Sequence, residues 1–324
     1  MFAVYADHAE PADPLAALVV GDRPEPDCTG ERAGWQVVEV RAASINHHDL
    51  WTLRGVGIAA EQFPMILGCD AAGTDAHGTA VLVHSVIGDP GPRGDETLDP
   101  RRTLLSERHQ GTFAERVAVP PRNLVPLPEG WSPAQAACLP TAWLTAYRML
   151  VTRGGLIAGD TVLVQGAGGG VATACIQLGA ALGLRVWATS RDEDRRTRAV
   201  ELGAAEAFPP ATRLPERVDA VMETVGEATW DHSIKSLRPG GTIVVSGATS
   251  GANPPADLTR VFFKQLSVVG STMGTRGELL ALIALCQRTG LRPLIDRELP
   301  MTQAEEGLRL VASGDSFGKV VLTR

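Results

Sequence analysis

The chain has 324 residues, 44% of them apolar, which is enough for a large buried core and, at this length, for two domains. With 37 acidic against 30 basic side chains the formal charge is −7, and no basic run carries interleaved aromatics, which disfavours nucleic-acid and anionic-membrane surfaces. The opening MFAVYADHAEPADP has no signal-like basic and apolar regions, the apolar run at 279–286 is too short for a bilayer, and the 5 cysteines form no C-x-x-C pair, so a cytoplasmic protein without disulfide framework or zinc cluster is expected.

In chain order, residues 2–5, 17–20 and 36–44 read as short strands broken by Pro and Gly. Asn46-His47-His48-Asp49 is expected to follow as extended chain. Residues 63–67 lead to Gly68-Cys69-Asp70, and 79–85 read as another strand. The stretch 88–110, rich in Pro, Gly and charge, reads as an exposed loop, and strands resume at 111–119 and 123–126. This is a β-rich block with little helix.

The period then changes. Ser132 as N-cap and Pro133 at the first helical position open a helix to residue 138, and a second helix is expected over 141–153. Strand 161–165 ends in Gly166-Ala167-Gly168-Gly169-Gly170, a helix runs from Val171 to 184, and a second strand covers 185–189. Helices at 194–202, 229–237, 257–264 and 277–289 alternate with strands at 219–223, 241–246 and 267–271. From Ile295 short strands return with one helix near 303–313. Such alternation implies an α/β protein with a doubly wound parallel sheet and a ligand at its carboxyl edge. The expected division is a β-rich domain of residues 1–125 and 295–324, into which a nucleotide-binding domain of residues 126–294 is inserted.

The glycine turn carries the chemistry. Backbone amides at the start of the following helix, together with its dipole, favour a pyrophosphate. The third glycine of G-x-G-x-x-G is replaced by Val171 followed by Ala172, but the strand, turn, helix, strand context is that of a dinucleotide site. A carboxylate at the end of the second strand would hold an unphosphorylated ribose; here stands Thr189-Ser190-Arg191. Ser190, Arg191 and Arg195 suit a 2′-phosphate, so NADP(H) is the expected cofactor.

The stretches ASINHHDLWTLRG, ILGCDAAG, GTFAERVAVP, LPTAWLTAYRML, VLVQGAGGGVATACIQLG, LRPGGTIVVSGATSG, LSVVGSTMG and FGKVVL resemble, over nearly the whole chain, the medium-chain dehydrogenase/reductase superfamily, and within it the zinc-independent quinone oxidoreductase branch. The resemblance implies a GroES-like β-rich domain beside a Rossmann domain, with substrate between them, and a homodimer joined through the sheet edge around residues 266–270. It implies that Gly166, Gly168, Gly169, Gly170 and Val171 hold the pyrophosphate, that Asn46, Thr141 and Thr145 lie near the nicotinamide, and that Thr224 and Val225 also bind cofactor. Gly247-Ala248-Thr249, Ser271-Thr272-Met273 and Phe317-Gly318-Lys319 would close around the nicotinamide end.

Zinc alcohol dehydrogenases of the same superfamily carry a Cys, a His, a second Cys and a nearby Glu where this chain has Asn46, Cys69, Thr141 and Asp70. That set does not make the three-ligand N/S site a catalytic zinc needs, and residues 88–110 contain none of the structural-lobe cysteines, so no metal is expected. His47 and His48, on an extended segment, would point to opposite faces, leaving at most one toward a metal at Cys69. The expected chemistry is hydride transfer from NADPH to a quinone or α,β-unsaturated carbonyl, with Asn46, Trp51, Cys69 and Asp70 at the reacting end. Trp51 stands where many relatives have Tyr, and an indole is no general acid; Asp70, Cys69, Tyr147, His47 and His48 remain as proton donors to weigh against solvent, and no dedicated acid is expected. The alternatives are an alcohol dehydrogenase-type oxidoreductase and a non-catalytic NADP(H)-binding redox sensor.

Overall fold

In the stretch QVVEVRAAS, Val38 and Val40 are buried while Glu39 and Arg41 face water, the period-2 signature of a strand that is covered on one side. Around this strand the computed structural model, which describes residues 1–324, builds the first of two units, Met1–Ala142 with Met273–Arg324. Its first part runs β1 (Phe2–Ala6), β2 (Leu18–Asp22), β3 (Gln36–Ser44), α1 (His47–Leu53), β4 (Met65–Ile66), β5 (Ala71–Thr74), β6 (Ala80–Val83), β7 (Val86–Ile87), β8 (Thr103–Leu104), β9 (Arg116–Val119), β10 (Leu124–Pro126) and α2 (Pro133–Ala137). Trp143–Thr272 forms the second unit, with α3 (Leu144–Tyr147), β11 (Thr161–Val164), α4 (Gly170–Ala181), β12 (Arg185–Thr189), α5 (Glu193–Glu201), β13 (Glu206–Phe208), β14 (Val218–Glu223), α6 (Glu227–Ser236), β15 (Leu237–Val245), α7 (Leu258–Phe263) and β16 (Ser267–Gly270). The chain then returns to the first unit as α8 (Arg276–Thr289), β17 (Ile295–Pro300), α9 (Ala304–Ser313) and β18 (Lys319–Thr323).

The first unit holds a sheet ordered β10-β6-β5-β3-β18-β17, with β9 also on β3, and a smaller sheet β2-β1-β4. Its core includes Leu53, Leu67, Leu105 and Phe113, each wholly buried. The last strand closes on the third in antiparallel register, Val321 opposite Ser44, while β5 flanks β3 on its other side with Ala71 opposite Ala43. The start of β18, the end of β3 and the residues before β5 therefore share one end of the sheet.

The second unit has a six-stranded, wholly parallel sheet ordered β13-β12-β11-β14-β15-β16. This is the doubly wound dinucleotide-binding order. All four residues of β11 are buried, as expected of a strand covered on both faces. The small residues of α4 allow a close approach to the sheet, and a Cβ at Gly179 would lie 2.7 Å from Val186 Cγ2.

Most expected elements form, with the corrections in the linkers. Residues 47–53 are helix α1, not extended chain, because Asn46 takes the N-cap position and its backbone N–H donates to Asp49 Oδ2 at 2.8 Å. The 88–110 stretch is only partly an exposed loop: β8 pairs with β7, and Glu96 and Thr97 are buried. Residues 139–153 coil as two π-helical segments, Leu139–Trp143 and Arg148–Arg153, on either side of α3. Strand β13 was not anticipated. By contact, α2 and α8 group with the β-rich unit, which puts the contact-based division after Ala142 and Thr272, beside the sequence-based one after 125 and 294. Glu96 Oε1, which accepts from His84 Nε2 at 3.1 Å, also accepts the Arg276 N–H at 2.6 Å and ties the start of α8 to this unit.

Candidate active site

Ser44, Asn46, Asp70 and Lys319 meet at the shared sheet end of the first unit. Asp70 Oδ1 accepts the Ser44 backbone N–H at 3.0 Å and Ser44 Oγ at 2.9 Å, while Oδ2 accepts Asn46 Nδ2 at 3.0 Å. The Asn46 amide is fixed from its other side: Lys319 Nζ donates to Asn46 Oδ1 and to Ile45 O, both at 2.6 Å. The second N–H of Asn46 Nδ2 reaches Ser44 O at 3.1 Å, so the amide can neither flip nor rotate without breaking bonds on both faces. Cys69 Sγ lies 3.7 Å from Asn46 Nδ2 and 3.4 Å from Thr141 Oγ1, which in turn lies 3.2 Å from Ser85 Oγ.

Lys319 is only 3% exposed. A buried ammonium needs nearby negative charge, and it lowers the proton affinity of Asp70, which burial nevertheless pushes above the ordinary carboxyl range. Burial, and then the charges of Asp70 and Asp49, push the Cys69 thiol well above its usual value. That sulfur is a neutral thiol. Asp49, whose Oδ1 accepts the Gly68 N–H at 2.9 Å, is raised by burial to about 6. His48 Nε2 lies 3.1 Å from Glu107 Oε1; burial opposes its charge, but the bond to Glu107 and the charges of Asp49, Glu107 and Asp70 raise it overall.

The second unit assembles the glycine turn. Gly166 and Gly168 take φ of +73° and +154°, which only glycine adopts freely, and α4 starts at Gly170. A Cβ at Gly168 would lie 2.7 Å from Arg195 Nη1, so the guanidinium sits over the turn. One at Gly166 would lie 2.8 Å from Val225 Cγ2. Beneath it, Gly166 N–H donates to Thr189 Oγ1 at 3.2 Å, Thr189 Oγ1 to Gln165 Oε1 at 2.7 Å, and Gln165 Nε2 to Ser233 Oγ at 2.9 Å. Ser233 Oγ ends the chain on Glu223 Oε2 at 2.6 Å, and Glu223 Oε1 accepts the N–H groups of Val225 and Gly226 at 2.8 and 3.0 Å. Thr249 N–H donates to Thr224 O at 3.4 Å, and a Cβ at Gly247 would lie 3.0 Å from the same oxygen, so the 224–225 and 247–249 turns pack together.

Of the residues singled out from sequence, Asn46, Cys69, Asp70, Thr141 and Lys319 therefore gather in the first unit, and Gly166–Val171, Arg195, Thr224, Val225 and 247–249 line or support the turn in the second. Lys319, grouped by resemblance with the cofactor, has its ammonium bonded to Ile45 and Asn46. Trp51 lies outside the polar cluster, on α1, with the Arg54 guanidinium 5.2 Å from its ring centroid. Ser190 is buried and its Oγ accepts the Asp192 N–H at 3.3 Å; Arg191 is exposed. Arg196, which sequence reading passed over, donates to Ser190 O and Arg191 O at 2.9 and 3.1 Å and pins the strand end. Thr145 is buried on α3, Ser271 N–H donates to Val245 O at 2.8 Å, and Thr272 follows it; Met273, Phe317 and Gly318 fall in the first unit. Sequence reading also missed Ser44, Gln165 and Glu223, whose only signal is a polar residue at the end of an otherwise apolar strand.

Residues 32–129 match the family described as alcohol dehydrogenase GroES-like domain, and 170–288 that described as zinc-binding dehydrogenase. The chain is 32% identical to a solved structure titled NAD-dependent alcohol dehydrogenase, with a TM-score of 0.91 and 100% of each chain covered. It belongs to the medium-chain dehydrogenase/reductase superfamily, and is an oxidoreductase of that fold. Among curated relatives, the acryloyl-coenzyme A reductase of Sulfurisphaera tokodaii is 27% identical over 88% of this chain and 91% of its own, and the quinone oxidoreductase of Pongo abelii 27% over 88% of each. The spectinabilin polyketide synthase system protein NorB of Streptomyces orinoci is 32% identical over 93% of this chain, which spans 14% of that relative's length.

Proposed function

We propose that the protein is an NADPH-dependent reductase of quinones or α,β-unsaturated carbonyl compounds that works without zinc. The carrying observation is the Asn46-Lys319-Asp70 network beside a neutral Cys69. A catalytic zinc takes three N/S ligands, thiolate or imidazole among them. Here the corresponding cluster offers one thiol, a carboxylate already bonded to Ser44 and Asn46, an amide whose oxygen already accepts from an ammonium, and a hydroxyl. Lys319 already supplies positive charge to this pocket of donors, so a second cation beside it would be repelled. The relatives named acryloyl-coenzyme A reductase and quinone oxidoreductase support the substrate class.

The glycine turn, the start of α4 and Arg195 fit the pyrophosphate and 2′-phosphate of NADP(H), and the bound dinucleotide would supply the hydride. The chain's own task is then position and electrostatics. Thr141 Oγ1, poised between Cys69 and Ser85, is the hydroxyl of the cluster that can turn its hydrogen to a substrate oxygen. No dedicated acid is assigned here: both Asp49 oxygens accept backbone N–H groups, and burial raises the Cys69 thiol well above its usual value. Solvent delivers the proton. A homodimer through β16, the edge strand of the parallel sheet, is part of the same reading; Val268 on that strand and Phe263 on α7 are 51% and 82% exposed. Five free cysteines and no helix long and apolar enough to cross a membrane accord with a cytoplasmic site of action.

Fluorescence titration of NADPH and NADH tests the cofactor half of the proposal. Wild type is expected to prefer NADPH by about tenfold or more, as charge-assisted phosphate contacts imply, and Arg191→Ala with Arg195→Ala to erase the preference. Equal affinities unchanged by both substitutions would leave the 2′-phosphate site without support.

A further inference from the structure

The second unit has a cavity of about 570 Å³ whose lining includes none of the glycine-turn residues. It opens between the loop joining β13 to β14, the C-terminal half of α6 and Arg260 of α7. The β13–β14 loop leaves the carboxyl end of β13 and leads into the start of β14. Lys235 and Ser236 end a helix that returns to the start of β15, so the cavity runs along this face of the unit from the carboxyl toward the amino edge of the parallel sheet. The glycine turn is at the carboxyl edge.

The lining is basic in a chain of net charge −7. Arg213, Arg217, Lys235 and Arg260 face the cavity, against one carboxylate, Glu216, which is itself ion-paired to Arg185. Lys235 and Arg260 have carboxylates of their own, Asp231 at 2.7 Å and Asp257 at 2.8 Å. Arg213 and Arg217 form no ion pair. The excess charge is felt nearby: after burial, the charges of Arg217 and Arg260 are what lower the proton affinity of Lys264.

The cavity is also pre-formed. His232 Nε2 donates to Thr212 O at 2.8 Å while its Nδ1 lies 3.0 Å from Gln165 Nε2, so the ring ties the loop down onto α6. Pro209, Pro210 and Pro215 restrict that loop, and Ala211 is held at φ +60°, a conformation that costs free energy and persists only where neighbours impose it. Two unpaired guanidinium forks on a fixed loop over a cavity of small-ligand size match a phosphate or polyphosphate group.

We propose that this cavity is a second anion site, for a small phosphorylated ligand, independent of the dinucleotide turn. The test uses inorganic pyrophosphate as probe, with calorimetric titration of the full chain as wild type, as Arg213→Gln/Arg217→Gln and as Arg191→Gln/Arg195→Gln. All four positions are on exposed or partly exposed surface, and melting curves confirm that each variant is folded. Pyrophosphate binding that survives in the Arg191/Arg195 variant and weakens at least about tenfold in the Arg213/Arg217 variant supports the site. Binding lost only in the Arg191/Arg195 variant places the probe on the glycine turn and overturns the proposal, as do equal loss in both variants and an absence of binding to wild type.

Discussion

Replacing Lys319 by Met keeps an unbranched side chain one atom shorter and removes its charge and hydrogen bonds. In the wild type the ammonium makes two bonds of 2.6 Å and is 3% exposed, with the wholly buried Asp70 held on the far side of the Asn46 amide. The variant leaves Ile45 O and Asn46 Oδ1 without their donor and Asp70 without a compensating charge. Removing one partner of a buried charge pair costs about 3–5 kcal/mol. At about 2–4 °C per kcal/mol for a unit of this size, thermal unfolding should shift down by roughly 6–20 °C. The loss also has a pH signature. Burial already raises Asp70, and without Lys319 it rises further, so the folded variant binds a proton more tightly than wild type. Its deficit therefore grows as pH rises and shrinks as pH falls and Asp70 becomes neutral. Adding Asp70→Asn to Lys319→Met should recover much of the loss. A variant that melts within about 1 °C of wild type, or a deficit that neither pH nor the second substitution alters, would refute the coupling.

Carbon-13 carboxyl titration should place Asp49 at a midpoint of about 6. Since that lies above the value in an unfolded chain, its contribution to stability is fully present below about pH 4 and is lost as pH rises through the folded value; a midpoint in the ordinary range would remove the cause assigned to burial. Gln165→Leu leaves Thr189, Ser233 and His232 short of partners beneath the glycine turn, and should cost about 2–4 kcal/mol by denaturant titration and weaken NADPH; unaltered stability and affinity would mean the network is dispensable. Gly111→Ala would put a Cβ within 2.5 Å of three carbonyl oxygens, Ile66, Leu67 and Gly68, next to Cys69, and is expected to destabilise the first unit by more than about 3 kcal/mol, which a melting curve would show.

The nucleotide unit was legible because its signals are periodic: an apolar strand, glycines at a fixed offset, then a helix whose buried residues run from Ala172 through Ile176 and Leu178 to Gly179. Ser132 and Pro133 likewise announced α2, which forms with Ser132 Oγ accepting the Gln135 N–H at 3.2 Å. What was not legible depends on residues far apart in the chain. Nothing near Lys319 indicates that its ammonium meets Asn46, 273 positions away, because only the antiparallel closure of β18 on β3 brings them together. The 88–110 stretch reads as solvated by composition, yet Glu96 is buried against His84 and the start of α8. The helix at 47–53 was hidden by its cap: a lone Asn before two histidines gives a weak start signal, and Asp49, which completes it, also serves the Gly68 N–H across the fold.

The measurement that tests the central claim most directly is steady-state NADPH oxidation by the purified, metal-analysed chain, with a panel of quinones, enones and enoyl thioesters, run beside NAD-linked oxidation of alcohols. Turnover of a quinone or enone that persists after extensive chelation, and that Lys319→Met lowers in kcat more than it raises KM, is the expected result. Alcohol oxidation that appears with added zinc and vanishes with chelator, together with no oxidation of NADPH by any of the acceptors, would contradict it.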